Sequence, residues 1–152
     1  MIRLMQQYDV ETVAAIEAKV QSHPWSKNQF VEAIQSYNAT VIEDDGQVVG
    51  FCILQTVLDE ANLLLMAIDP AKQGKGLGYR LLDFSIEKLA NNPVQIFLEV
   101  RESNHVAIAL YEKIGFHQID LRKNYYPTSN GGKEHAIIMV KSCSDNFSDL
   151  FK

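Results

Sequence analysis

The sequence predicts a single α/β domain of the α+β type, with a mixed sheet of about seven strands flanked by about four helices. Three observations lead to this fold class. Apolar residues recur at helical spacing in some segments and in short strand-like runs in others, and turn residues separate the segments. In chain order the segments read strand, two helices, three strands, helix, strand, helix and two strands. A chain of 152 residues is long enough for one such domain with a buried core.

The first quarter of the chain predicts a short strand followed by two helices. Residues 1–5 can form the strand. Asp9 is a candidate N-cap for a helix whose apolar residues have helical spacing, namely Val10, Val13, Ile16 and Val20. His23-Pro24-Trp25 interrupts this pattern. Ser26 and Gln29 then match a capping box, which predicts the start of a second helix at Ser26.

The next segment predicts a hairpin and a central strand. Val41–Ile42 and Val48–Val57 flank Asp44-Asp45-Gly46, and an Asp-Gly pair accepts the positive φ angles that tight hairpin turns require. The run from Asn62 to Ile68 is apolar throughout, which is typical of a strand buried on both faces. Asp69-Pro70 ends it.

The second half begins with a glycine cluster, Gln73–Gly78, that leads into a third helix. The inward residues of this helix are Leu77, Leu81, Leu82, Ile86 and Leu89. Pro93 is expected to end the helix, and Val94–Val100 to form a strand. Ser103-Asn104 can cap a fourth helix, which Gly115 stops. Its apolar face consists of Ala107, Leu110, Tyr111 and Ile114.

Two strands close the predicted domain. They are expected over residues 116–122 and 135–140, joined by a polar, turn-rich loop that contains Pro127 and Gly131. We expect the domain to span residues 1–141 and residues 142–152 to form a flexible tail.

Composition excludes several functional classes. No apolar run reaches the roughly 20 residues that span a bilayer, and residues 1–7 are too short and polar for a signal peptide, so we expect a cytoplasmic protein without membrane contact. The net charge of -5 argues against direct nucleic-acid binding. The four histidines lack metal-ligand spacing, so no metal site is expected. Cys52 lies in an apolar run and Cys143 in a polar tail, which disfavours a disulfide framework.

The glycine cluster predicts an anion site. Glycine lets a ligand approach the backbone closely, and a helix N-terminus presents N–H groups and a favourable dipole to a phosphate or pyrophosphate. Lys75 adds a positive charge at the mouth. A plain turn is the alternative. The Rossmann fingerprint fails because Tyr79 stands where its third glycine or alanine belongs, and the Walker motif is absent.

Gln73-Gly74-Lys75-Gly76-Leu77-Gly78 matches Q/R-x-x-G-x-G/A and resembles the acetyl-CoA pyrophosphate loop of the GNAT superfamily of N-acetyltransferases. The order of elements resembles that superfamily from Met1 to about Lys141. Further motifs resemble its bacterial ribosomal-protein-alanine N-acetyltransferases. These motifs are His23-Pro24-Trp25-Ser26, Leu98-Glu99-Val100-Arg101 with Ser103-Asn104, Ala109-Leu110-Tyr111 with Gly115-Phe116, and Arg122-Lys123-Asn124-Tyr125-Tyr126-Pro127.

The resemblance implies a role for individual residues. The backbone of a splayed central strand would bind the pantetheine and acetyl group of acetyl-CoA at Met66, Ala67 and Ile68. The pyrophosphate would be held by the six residues Gly74, Lys75, Gly76, Leu77, Gly78 and Tyr79, and Asn104 would contact the cofactor as well. Glu99 would be the general base and Tyr111 the general acid. Trp25, Tyr125 and Tyr126 would line the groove for the acceptor peptide.

A carboxylate and a phenol suit this chemistry independently of the resemblance. When an amine attacks a thioester, one proton leaves the nitrogen and one reaches the departing thiolate. A carboxylate such as Glu99 can accept the first directly or through water. A phenol such as Tyr111 has an ordinary pKa of about 10 and can stabilise charge developing on sulfur. The alternatives are a solvated or paired carboxylate for Glu99, core packing for Tyr111 and a hydrophobic plug for Trp25.

The resemblance implies an acetyl-CoA-dependent N-acetyltransferase that modifies the N-terminal alanine of a small-subunit ribosomal protein. Two other acceptors, a lysine side chain and a small-molecule amine, remain open because one fold hosts all these activities. A non-catalytic acyl-CoA-binding module is the alternative outside the enzymes, and a dinucleotide-binding enzyme is a more distant one.

Overall fold

The structure is a computed structural model that describes residues 1–90 and 92–143. Among these residues, seven strands run over β1 Ile2–Leu4, β2 Asn38–Asp44, β3 Gln47–Val57, β4 Glu60–Ile68, β5 Gln95–Arg101, β6 His117–Pro127 and β7 Lys133–Ser142. The α-helices of the same residues are α1 Val10–Val20, α2 Lys27–Ser36, α3 Leu77–Glu87 and α4 His105–Ile114. The strands hydrogen-bond in the order β1-β2-β3-β4-β5-β7-β6. The predicted fold class is confirmed.

The sheet is mixed. β1 and β2, β2 and β3, β5 and β7, and β6 and β7 pair antiparallel. β4 and β5 pair in parallel, with a register that runs from Glu60 opposite Gln95 to Asn62 opposite Phe97. The parallel pair therefore joins the beginnings of the two strands.

The domain divides into two compact units. The first, called here the N-terminal unit, contains Met1–Gln55 and Leu63–Leu89. The second, the C-terminal unit, contains Thr56–Asn62 and the described residues from Ala90 onward. β4 contributes to both, because its first residues belong to the C-terminal unit and its remainder to the N-terminal unit.

An apolar cluster forms the core of the N-terminal unit. Its fully buried members come from α1, α2 and the adjoining strands, and include Val13, Phe30, Val41, Phe51 and Ile53. The ring centroids of Phe30 and Phe51 lie 5.2 Å apart in an edge-to-face arrangement, which is a favourable geometry for aromatic pairs. The predicted hairpin turn is present, with φ of 52° at Asp45 and 77° at Gly46.

The C-terminal unit is more open. On β5, Ile96, Leu98 and Val100 are buried, whereas the alternate side chains face away from this core, as the two-residue period of a strand requires. β6 is an edge strand of the sheet and is exposed over nearly its whole length. α4 has the predicted apolar spacing, but its face is only partly buried.

Several local predictions need correction. Asp9 occupies the N-cap position of α1, but its side chain makes no cap hydrogen bond, because its carboxylate instead accepts from the Arg3 guanidinium and the Gln6 N–H. α3 ends at Glu87, well before Pro93. β4 is not buried on both faces, since its side chains alternate between buried and half-buried over most of the strand.

The C-terminal prediction also changes. Tyr125 and Tyr126 lie on β6 rather than in a loop, since the strand continues to Pro127. The expected tail begins with ordered residues, because Ser142 ends β7 and the Cys143 N–H donates to the Val94 carbonyl at 2.9 Å. The rest of the expected tail, residues 144–152, lies outside the described residues.

Three further observations bear on function. No helix within residues 1–90 and 92–143 is long and apolar enough to cross a membrane. The same residues contain no group of three His, Cys, Asp or Glu side chains arranged to hold a metal ion. Cys52 and Cys143 are both free thiols, and burial raises the pKa of Cys52 to about 12.

Candidate active site

The glycine loop of the N-terminal unit has the backbone shape of an anion cradle. Gly74 and Gly76 adopt φ angles of 83° and 79°, in the left-handed region that side chains other than glycine rarely occupy. A Cβ added at either position would meet no atom within 4 Å. Glycine is therefore required here for backbone conformation, and the space in front of the loop is open for a ligand.

The start of α3 differs from the starts of α2 and α4. The Ser26 hydroxyl caps α2 by accepting from the Gln29 N–H, and Asn104 caps α4 by accepting from the Ala107 N–H. The N-cap of α3 is Gly76, which has no side chain to do the same. The first N–H groups of a helix lack partners within the helix, and the absence of a capping side chain at Gly76 suits the approach of an anion to this helix start.

The loop is tied to the end of β4. The Gln73 side-chain amide donates to the Ile68 carbonyl at 3.0 Å, which gives a structural reason for glutamine at the start of the loop motif. The predicted pantetheine-binding residues Met66, Ala67 and Ile68 lie on β4 beyond its parallel register with β5. The Ile68 carbonyl is already engaged by Gln73, so the groups of this segment are not all equally available to a ligand.

Gly50 on β3 packs closely against the end of β4. A Cβ at Gly50 would lie 2.9 Å from the Ala67 carbonyl oxygen and 2.5 Å from the Ile68 side chain, distances that atoms do not tolerate without movement. The glycine thus allows β3 to support the segment expected to meet the acetyl group. The sequence analysis did not single out Gly50.

The remaining predicted loop residues divide by exposure. Leu77 is buried and anchors the first turn of α3 in the core, whereas Lys75 is exposed at the loop. Gly78 and Tyr79 are half-buried in the same turn.

In the C-terminal unit, Glu99 forms an ion pair. It lies on the outward face of β5, and its Oε1 is 3.1 Å from a guanidinium nitrogen of Arg122 on β6. β7 lies between these two strands, so the long arginine side chain reaches across one strand. Glu99 remains about one-third exposed and Arg122 about half exposed, which leaves the carboxylate accessible to a further partner.

Tyr125 and Tyr126 lie beside this ion pair. Their ring centroids are 5.0 Å apart, with the rings nearly perpendicular. The Arg122 guanidinium lies 5.3 Å from the Tyr125 centroid and that of Arg101 4.5 Å from the Tyr126 centroid, both within cation–π range. Burial, together with the nearby charge of Glu99, raises the pKa of Tyr126. We call Glu99, Arg101, Arg122, Tyr125 and Tyr126 the tyrosine–arginine cluster.

A bulge in β6 sets the direction of the two tyrosines. Between Arg122 opposite Ala136 and Tyr126 opposite Glu134, β6 advances by four residues and β7 by two. Asn124 within the bulge has a φ of 52°, and its N–H donates to Nδ1 of His135 at 3.0 Å. Bulges commonly redirect side chains at functional sites.

Of the two residues predicted to act from α4, Tyr111 lies on the helix and Asn104 is its N-cap. Asn104 uses its side-chain oxygen to cap the helix at 3.1 Å from the Ala107 nitrogen. Tyr111 is half-buried, and its ring packs 5.9 Å from that of Phe116, edge to face. Part of each side chain thus has a structural function.

Trp25 lies in the N-terminal unit, half-buried between α1 and α2. Its ring packs 5.4 Å from that of Phe30, and its backbone N–H donates to Oε2 of Glu17 at 3.1 Å. The sequence analysis missed Glu17, although a detectable signal exists. A glutamate four residues after Val13 on the apolar stripe of α1 is a charged residue at a core position.

Arg101 and Arg122 were also missed as functional candidates, because they entered the analysis only as members of motifs. Alternation along β5 could have placed Arg101 on the same face as Glu99. The approach of Arg122 to Glu99 depends on strand order, which no local pattern specifies.

Comparison with known proteins gives concordant results. A model of the acetyltransferase (GNAT) family matches residues 4–116. The chain is 47% identical over 137 residues to the ribosomal protein bS18-alanine N-acetyltransferase of Haemophilus influenzae, covering 87% of this chain and 91% of that protein. Its identity to the protein of that name from Escherichia coli strain K12 is 42% over 134 residues, covering 87% and 90%.

The solved structures agree. The crystal structure of the ribosomal-protein-S18-alanine N-acetyltransferase from Escherichia coli matches with a TM-score of 0.87 and 39% identity, covering 95% of this chain and 94% of that one.

Proposed function

Because the chain belongs to the acetyltransferase (GNAT) family, an acetyl-CoA-dependent family, we propose that it acetylates the N-terminal alanine of ribosomal protein bS18. The relatives from Haemophilus influenzae and Escherichia coli bear that activity in their names. The observation in the structure that carries the proposal is the glycine loop. Its left-handed glycines, open space and uncapped helix together suit a pyrophosphate.

Acetyl-CoA is proposed to bind mainly through the backbone. Residues Gly74–Tyr79 would hold the pyrophosphate with the N–H groups of the loop and the first turn of α3, and Lys75 would add one charge. The segment Met66–Ile68 would meet the pantetheine and acetyl group. Asn104, whose side-chain oxygen caps α4, would contact the cofactor through its side-chain NH2 group.

The acetyl transfer then needs two proton movements. The amine nitrogen bonds to the thioester carbon, the carbon–sulfur bond breaks, and the nitrogen loses a proton that Glu99 accepts directly or through water. Tyr111 supplies a hydrogen bond or proton to the departing thiolate. The ion pair with Arg122 orients the carboxylate before the amine arrives. In the C-terminal unit Tyr125 and Tyr126, and in the N-terminal unit Trp25, are each proposed to contact the acceptor peptide.

The acid–base properties of the acceptor favour an α-amine. An α-amino group has a pKa of about 7.7 to 8.0, against about 10.4 for lysine. A useful fraction of N-termini is therefore already neutral near pH 7, and a surface carboxylate can complete the deprotonation. A ribosomal acceptor also implies that the enzyme works in the cytoplasm, where ribosomal proteins are made.

The test is intact-mass spectrometry of acetyl transfer to two peptides. One has a free N-terminal alanine and no lysine, and the other has a blocked N-terminus and internal lysines. Acetylation of the first alone supports the proposal. Acetylation of the second alone contradicts it and assigns a lysine acetyltransferase, and binding of acetyl-CoA without transfer to either peptide points to a small amine or a non-catalytic module.

A further inference from the structure

Glu17 is a buried carboxyl group that the catalytic proposal does not use. It lies on the buried stripe of α1 with Val10, Val13 and Ile16 and is only 1% exposed. Its Oε1 has no hydrogen-bond partner among the described residues. A buried polar atom without a partner lowers stability, because the hydrogen bonds that it makes to water in the unfolded chain are not replaced. An apolar side chain would fill this position without that cost, but it would leave the Trp25 N–H without the acceptor that Glu17 provides.

The hydrogen bonds of Glu17 hold both ends of the loop between α1 and α2. Its backbone carbonyl accepts from the Gln21 N–H at 3.0 Å, and its side-chain Oε2 accepts from the Trp25 N–H at 3.1 Å. Between these two anchors, His23 and Pro24 are exposed. One residue therefore fixes where the loop leaves α1 and where it returns.

The neighbouring contacts complete the anchorage of Trp25. Its ring packs against Phe30, which in turn packs against Phe51 in the core. Immediately after it, Ser26 and Gln29 form the reciprocal capping box that starts α2. Packing against Phe30 restricts rotation of the Trp25 ring. The hydrogen bond to the Glu17 carboxyl holds the backbone of Trp25 in position.

We propose that Glu17 is a positioning residue for acceptor binding, which holds the loop of residues 21–25 so that Trp25 contacts the acceptor peptide. The inference rests on the proposed function, in which Trp25 contacts the acceptor. It predicts that loss of the Glu17 carboxyl weakens use of the peptide and leaves acetyl-CoA binding unchanged.

Two substitutions separate the hydrogen bond from the charge. Glu17→Gln keeps an oxygen that can accept from the Trp25 N–H and removes the ionisable group, so it serves as the matched control. Glu17→Met has similar length but no acceptor. We expect Glu17→Met to raise KM for the alanine peptide about tenfold, with KM for acetyl-CoA within about twofold, and Glu17→Gln to retain a KM for the peptide within about threefold.

The protein contains one tryptophan, so its intrinsic fluorescence reports on Trp25 directly. Emission of Glu17→Met should shift to longer wavelength as the loop loosens, whereas that of Glu17→Gln should match the wild type. In the wild type, hydrogen exchange at the Trp25 amide should be protected. If Glu17→Met is unstable, Glu17→Asp provides the same comparison, because it withdraws the carboxyl by one methylene.

The outcomes distinguish this inference from the proposed function. If the wild type acetylates the alanine peptide but the peptide KM of Glu17→Met, or of Glu17→Asp in its place, equals that of the wild type, the inference is overturned and the function stands. An unprotected Trp25 amide also overturns the inference. If the wild type acetylates neither peptide, the proposed function is wrong, and the acceptor role of Glu17 is wrong with it.

Discussion

The N-terminal and C-terminal units carry candidate functional features of two different kinds. In the N-terminal unit the features that suit acetyl-CoA belong to the backbone, namely two left-handed glycines and a helix start without a side-chain cap. In the C-terminal unit they belong to side chains, because Glu99, Arg101, Arg122 and two tyrosines contact one another through charges and rings.

This difference has consequences for substitution. A backbone site depends on φ angles and on the absence of Cβ atoms, so exchange of its exposed side chains should matter little. A side-chain site depends on charge and reach, so a nearly isosteric change can remove its chemistry while the fold persists. Four predictions follow from the largest expected effect to the smallest, and the first three test this contrast.

Glu99→Gln should lower kcat for the alanine peptide roughly a hundredfold, because the amide cannot accept the proton of the attacking amine. The substitution changes one atom type and leaves the shape of β5 unaltered, so acetyl-CoA affinity should stay the same. Steady-state kinetics and calorimetry measure the two quantities. A variant with wild-type kcat would remove Glu99 from the mechanism.

Gly76→Val should weaken acetyl-CoA binding by about five- to thirtyfold, because a β-branched residue at a φ of 79° is strained by roughly 1–2 kcal/mol. Gly131→Val is the matched control. Gly131 has a φ of 82° and equally open surroundings, but it lies in the turn between β6 and β7. Calorimetry should find the dissociation constant raised only by the first substitution, and equal effects would refute the loop assignment.

Arg122→Gln should lower kcat/KM for the peptide about fivefold, since an exposed ion pair contributes at most about 1 kcal/mol. The variant removes both the charged partner of Glu99 and the cation beside Tyr125. Arg122→Lys should recover part of the loss, and Lys123→Gln controls for the change in net charge. A similar loss in the Lys123 variant would show that only overall charge matters.

The smallest expected effect concerns stability alone. Burial raises the pKa of Glu17 above its ordinary value of 4.5, although the Trp25 N–H opposes this. The folded chain therefore holds this proton more tightly than the unfolded chain, and its stabilising contribution is present below about pH 4.5 and lost as the pH rises through the folded pKa. The free energy of unfolding of Glu17→Gln should consequently increase relative to that of the wild type as the pH rises above 4.5. Urea denaturation across this range measures the difference, and a constant difference would contradict the assigned burial.

The fold was largely predictable because most of its secondary-structure signals determine the conformation of the same residues that carry them. The Ser26–Gln29 capping box, the turn at Asp45-Gly46 and the stop at Gly115 involve neighbours in sequence, and each is present. Asp9 occupies the predicted N-cap position, but its cap hydrogen bond is absent because Arg3 binds its carboxylate. The buried run on β4 was misjudged because hydrophobicity alone does not reveal which face a sheet leaves uncovered.

The site was predictable only in part. The glycine loop is contiguous in sequence, so its conformation could be inferred before the structure was known. The tyrosine–arginine cluster joins β5 to β6 across β7, and the bulge that directs Tyr125 depends on a hydrogen bond from Asn124 to His135. Such contacts follow from strand order and register, which the sequence pattern does not specify.

The contrast between a backbone site for acetyl-CoA and a side-chain site for the amine can be tested by one titration. Acetyl-CoA is titrated by calorimetry into the wild type, Gly76→Val and Glu99→Gln. The account predicts that Glu99→Gln binds like the wild type and that Gly76→Val binds about five- to thirtyfold more weakly. Wild-type affinity in Gly76→Val, or lost affinity in a folded Glu99→Gln, would contradict it.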